Sequence, residues 1–123
     1  MDKMNKYDIR LNIRHGSLQL IDVPGLVNEC KKKWFNQALC RVNDCVVRLG
    51  ILHGEFHWHK HDMEDEFFFV LQGKLLIDLE KKTITLKKHQ GFTVPRKILH
   101  CTRALKKTVV LMVEAATVKP VGD

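Results

Sequence analysis

The stretch His57-Trp58-His59-Lys60-His61-Asp62-Met63-Glu64-Asp65-Glu66-Phe67-Phe68-Phe69-Val70-Leu71-Gln72-Gly73 decides how the chain is read, because the histidines in it alternate. In an extended strand, side chains two apart share a face. His57, His59 and His61 therefore lie on one side, with Trp58 and Lys60 on the other. The acidic run Asp62 to Asp65 reads as a turn, and Glu66 opens the next strand on the same face as Phe68 and Val70. A carboxylate thus enters from a neighbouring strand, close to two imidazoles. Gly73 then makes the next tight turn without steric cost. Alternation alone leaves two registers open: His59, His61 and Glu66, or His57, His59 and Glu64.

Further along, Val94-Pro95-Arg96-Lys97-Ile98-Leu99-His100 supplies another imidazole on a later strand, Pro95 ending the strand before it. Three imidazoles and one carboxylate suit Fe(II), Mn(II), Ni(II), Co(II), Cu(II) or Zn(II) better than Ca(II) or Mg(II). Four protein ligands would leave an octahedral ion two positions for water or substrate, which Lewis-acid or oxygen chemistry requires.

The chain around these residues reads as strand after strand: Leu39 to Val42, Cys45 to His53, Phe56 to His61, Glu66 to Gln72, Lys74 to Leu79, Thr83 to Lys87, Phe92 to Val94, Ile98 to Arg103 and Thr108 to Ala115. Each is short, rich in β-branched or aromatic residues, and bounded by Asn-Asp, Gly, Pro or Lys-Lys breaks. Such spacing without helical periodicity predicts an all-β sandwich or barrel. Residues 17–40 are less regular; Pro24-Gly25 marks a turn and Val27 to Lys33 suits a short helix. The expected organisation is one domain, with 1–38 an arm packing on the barrel or on a partner subunit and 39–118 the barrel.

The run His59-x-His61-x4-Glu66-x6-Gly73 resembles the first motif of the cupins, and Pro95-x4-His100 resembles the core of the second. The chain is similar to small single-domain bacterial cupins, with the motifs spanning 54–104. The resemblance implies a double-stranded β-helix, or jelly-roll barrel, and one divalent transition metal on His59, His61, Glu66 and His100. It also favours Glu66 over Glu64, because the family's glutamate stands at that distance from the glycine. Departures are visible: Gly54 falls one residue late, His89 and Lys97 stand where glycines are usual, and Ala104 replaces an asparagine. Each lost glycine would cost about 1 kcal/mol if its turn keeps left-handed geometry.

At 123 residues the chain can bury a core without disulfides. No apolar run reaches the ~18–20 residues of a membrane helix, and Met1 to Arg10 lacks the apolar core of a secretory signal; a cytoplasmic protein is expected. Cys30, Cys40, Cys45 and Cys101 show no metal-binding spacing and read as free thiols, mostly buried. The net charge of +7 gathers in Lys31–Lys33, Lys81-Lys82, Lys87-Lys88 and Lys106-Lys107, at expected strand ends. That pattern argues against nucleic acid and favours an anionic small molecule. Arg48, Arg96 and Arg103 could clamp such an anion or lie solvated. Trp58, Phe67 and Phe69 share an outward face that the segment holding Trp34 and Phe35, or a second subunit, must cover; a homodimer is expected.

Because fold does not give function, two readings follow. One is a metal-dependent enzyme, of dioxygenase or isomerase type, acting on a small anionic metabolite or sugar derivative. His57 is then the nearest unassigned candidate for a catalytic base. The other is a non-catalytic, metal-dependent binding or sensing module.

Overall fold

One long strand organises the molecule. The computed structural model describes residues 6–123. Its elements are β1 Asp8–Arg10, α1 Val23–Glu29, β2 Trp34–Val42, β3 Cys45–Glu55, β4 Glu66–Gln72, β5 Leu75–Leu79, β6 Thr83–Leu86, β7 Gly91–Val94 and β8 His100–Ala115. The sheet runs β1-β2-β3-β8-β4-β7, with β5 pairing both β6 and β8. The start of β8 pairs β5, while its later part lies between β3 and β4. One strand serving two sets of partners rolls the sheet around a single interior. This is the all-β jelly roll that the motifs imply, although the hydrogen-bonded sheet does not close into a ring.

Alternation sets the interior. Phe68 and Val70 of β4, Leu75 and Ile77 of β5, and Val110 and Met112 of β8 point inward, joined by Leu52 and Val94. Trp34 stacks on Phe56 at 5.4 Å in the same cluster. A second cluster lies on the outer side, where Val27 of α1 covers Leu39, Leu49, Ile51 and Val109. Both faces of β3 are therefore buried, which explains its nearly unbroken apolar run.

Several boundaries differ from the sequence expectation. β2 begins at Trp34, not Leu39, because Trp34 and Ala38 reach into buried positions. The helix starts earlier, at Val23, with Pro24 in its first turn where a missing N–H costs nothing; Lys31–Lys33 follow it. The two strands expected at Ile98–Arg103 and Thr108–Ala115 are one strand, with Leu105, Lys106 and Lys107 exposed along it. The expected strand Phe56–His61 is not a strand: its one ladder contact is the bridge between His59 and His100. Of the expected arm 1–38, residues 1–5 lie outside the described residues.

The missing glycines are visible in the backbone. His89 (φ 67°) and Lys97 (φ 70°) adopt left-handed geometry, so both turns kept the conformation and lost the residue that adopts it freely. Gly54 has φ 117° and sits at a register shift between β3 and β8.

Candidate metal centre

His59, His61, Glu66 and His100 converge at one end of the interior. One ligating atom from each lies within 4.8 Å of all the others. Glu66 opens β4 and His100 opens β8, so both are placed by ladders. His59 and His61 sit on irregular backbone between β3 and β4. His59 is held by reciprocal main-chain bonds with His100, both 2.9 Å, and the Lys97 N–H donates to the His61 carbonyl at 2.7 Å. The left-handed turn at Lys97 thus anchors a candidate ligand.

Two of the imidazoles are oriented by their own backbone. His59 Nδ1–H donates to the His57 carbonyl at 3.0 Å, and His100 Nδ1–H donates to the Ile98 carbonyl at 2.9 Å. A carbonyl can only accept, so each ring presents Nε2 to the centre in the neutral form that binds metals. His61 Nε2 and His100 Nε2 stand 3.4 and 3.5 Å from Glu66 Oε1. These separations are long for hydrogen bonds, and all three atoms are buried without a partner. Ligand atoms on one ion at about 2.1 Å lie roughly 3.0–3.4 Å apart. The donor set and its orphaned atoms fit a divalent transition metal.

The electrostatics agree. Burial, and then the neighbouring His100 ring, bring His59 down to about 4, so it stays neutral over the physiological range. Burial opposes the charge on Glu66, yet the facing polar groups of His100, His61 and Glu114 outweigh it, and Glu66 is held well below the usual carboxylate range. For His61, burial is outweighed by Glu66, which raises its pKa.

Residues 47–115 match the family described as the cupin domain. The chain belongs to the cupin family. That span runs from β3 to the end of β8 and contains all four converging residues. This cupin is 43% identical over 90 residues to the uncharacterized protein YdbB of Bacillus subtilis (strain 168), covering 72% of this chain and 80% of that protein. A cupin-2 domain containing protein from Shewanella frigidimarina NCIMB 400 superposes with a TM-score of 0.74 at 26% identity, over 78% of this chain and 94% of the other. Protein NMB1881 from Neisseria meningitidis shares the fold, with a TM-score of 0.70 at 19% identity over 79% of this chain and 99% of the other.

The structure separates the other candidates from the centre. Glu64 accepts from Thr117 Oγ1 at 2.7 Å. His57 Nε2–H donates to the Val121 carbonyl at 2.6 Å, and its ring centroid lies 5.3 Å from that of His59. Cys101 turns away from the centre, donating to the Phe56 carbonyl at 2.9 Å, and burial pushes its thiol up to about 11. All four cysteines are free, but only Cys101 is buried; Cys45 is exposed and the other two are half-buried.

None of the three arginines is a free clamp. Arg96 bonds Asp65, and Arg103 reaches both Asp78 oxygens at 2.7 and 3.2 Å. Arg48 is buried and pairs with Glu114 at 2.6 Å. Sequence reasoning missed Glu114, which stands directly opposite Glu66 in the β4–β8 register with its side chain buried. Burial and the Glu66 charge push Glu114 up, against the pull of Arg48. The available signal was a lone Glu at an inward position of an otherwise apolar strand, Val110-x-Met112-x-Glu114.

Proposed function

We propose that this cupin is a metal-dependent enzyme acting on a small molecule, with one divalent transition metal (iron, manganese, nickel, cobalt, copper or zinc) held by His59, His61, Glu66 and His100. The observation that carries this reading is the convergence of four ligating atoms within 4.8 Å, several of them buried and without protein partners. Such an ion, when bound, supplies Lewis-acid or oxygen chemistry at its open positions. The chain's own residues orient the imidazoles, keep Glu66 charged, and wall one side of the centre with the apolar side chains Trp34, Phe56, Phe68 and Met112. Asn36 and Thr102 are the polar groups on that wall. An apolar or aromatic body carrying an anionic oxygen pair fits this lining better than a sugar, and the net charge of +7 favours the anion.

Between the two reaction types, dioxygenase chemistry fits better. An isomerase needs a base, and the candidate His57 has Nε2 committed to the Val121 carbonyl. Purified protein should carry about one transition metal per chain, removable by chelation. Metal content should fall as pH drops: neutral imidazole binds, and His61, raised by Glu66, takes up its competing proton above the ordinary histidine value of ~6.5. Dioxygen consumption by the Fe(II)-loaded protein across dicarbonyls, thiols and phenolics tests the reaction. Ligand binding without turnover of any of them would favour the sensing module. A chain that takes up none of the named metals would overturn both readings.

We further propose a cytoplasmic homodimer. Four free thiols suit a reducing compartment, and among the described residues no helix is long and apolar enough to cross a membrane. Trp34 lies in the interior and Phe35 under α1, so neither covers the outward aromatics. Phe67 and Phe69 stack on each other at 6.4 Å beside the half-exposed Val113. Light scattering should give twice the chain mass at micromolar concentration; the monomer mass would reject the dimer.

A further inference from the structure

The segment after β8 does not leave the molecule; it folds back across the mouth of the candidate metal centre. Thr117 Oγ1 donates to Glu64, His57 donates to the Val121 carbonyl, the Asp123 N–H donates to the Lys60 carbonyl at 2.9 Å, and the Asp62 N–H donates to Asp123 Oδ2 at 2.6 Å. Every one of these bonds ends on the stretch 57–64 that carries His59 and His61. Pro120 forms part of the wall beside His59. Gly122 lies so close that a Cβ there would stand 2.6 Å from His59 Cβ, and its φ of +94° is one that other residues rarely adopt.

The space beside His59 and Glu66, with Pro120 of this segment in a wall otherwise made by the barrel, is about 30 Å³. That is roughly the volume of one water, whereas sites for small organic ligands run to about 300–1,000 Å³. No metabolite reaches the centre by that side in this arrangement. The segment is also weakly held: it belongs to no strand, Val118 is its one buried side chain, and Lys119, Val121 and Asp123 are exposed. A stretch tied by surface hydrogen bonds and one apolar anchor opens at far lower cost than the barrel unfolds.

We propose that residues 117–123 are a strap that governs which molecules reach the centre, closed with room for water and open for a substrate. Its latch is His57, so opening also releases the Nε2 of an imidazole whose ring centroid lies 5.3 Å from that of His59. The proposal rests on the metal-enzyme reading for its purpose, but the strap itself is a property of the chain and is tested without metal. Two variants loosen it without replacing any of the four candidate ligands, Thr117→Val at a distance from them and Gly122→Val against His59. Gly122→Val places side-chain atoms where His59 stands, and Thr117→Val removes the bond to Glu64.

In metal-free protein, diethyl pyrocarbonate should modify His59 slowly, because the reagent is larger than the closed space. Both variants should react at His59 about tenfold faster, the effect of losing roughly one hydrogen bond of closure. The exposed His53 serves as internal control and should react equally in all three proteins. Loaded with cobalt, the variants should release the ion to a chelator faster by a similar factor. Unchanged His59 reactivity in both variants overturns the strap. Faster His59 modification with no cobalt bound by any form supports the strap and overturns the metal reading instead.

Discussion

The two halves of the candidate centre are built differently. Glu66 and His100 stand at the first positions of β4 and β8, where ladder hydrogen bonds on regular backbone set their direction. His59 and His61 stand on a stretch with no ladder of its own, held by His100, by the turn at Lys97 and by Asp123 through Lys60. The regular half is placed by pairing that the alternation pattern encodes. The irregular half is placed by residues tens of positions away. Regular strands thus provide a fixed floor for the site, while the histidine pair depends on the closing of several loops and can adjust around what it holds.

Replacing a candidate ligand should have the largest effect and should be equally severe in either half. Glu66→Ala or His61→Ala is expected to weaken cobalt binding by more than about 100-fold, whereas His57→Ala and Glu64→Ala should stay within about tenfold. Isothermal titration of the four variants decides between the two registers. Loss of the ion in His57→Ala with retention in His61→Ala would move the site by two residues.

The regular half has a buried support that the irregular half lacks. Arg48→Met leaves Glu114 facing Glu66 in the interior without its cation. Without Arg48 the raised Glu114 takes up a proton, so the cost is that of a lost buried hydrogen-bond partner, about 1–3 kcal/mol, while replacing both by apolar residues is often neutral. Arg48→Met should therefore lower the urea midpoint sharply, and Arg48→Met combined with Glu114→Leu should recover most of it. A single variant as stable as the parent would mean the floor does not depend on this pair.

The smallest effect should come from the tether of the irregular half. Lys97→Gly relieves the left-handed strain at φ 70° and should stabilise the fold by up to about 1 kcal/mol, offset partly by the greater entropy of unfolded glycine. Metal affinity should be unchanged, because the bond to His61 comes from the Lys97 backbone. A drop in affinity would show that the lysine side chain contributes to holding the stretch.

Legibility followed the same division. β4 lies where alternation puts it, Glu66–Gln72, and the inward set Glu66, Phe68 and Val70 is visible in the residues themselves. The stretch 56–61 imitates a strand in its alternating histidines, although its backbone gains a single bridge. The arginines, whose sequence context leaves an anion clamp and a solvated surface position equally open, are paired with carboxylates, Arg48 with one 66 residues away. Pairings at that separation leave no mark in local composition.

The sequence by itself determined the ligand types and the inward face of Glu66, because the alternation of β4 is a local property that holds wherever the strand lies. It also marked Gly73 as a tight turn, whereas the left-handed backbone at His89 and Lys97 is visible only in the structure. Only the tertiary structure decided which histidines meet Glu66, what neutralises Arg48, and that residues 117–123 close over His59. Those outcomes depend on β8 carrying the chain past both β3 and β4, so that groups far apart in sequence share one small volume of low dielectric. There each buried polar atom must find a partner or cost several kcal/mol, and the partners are whatever the closing of the sheet brings within reach.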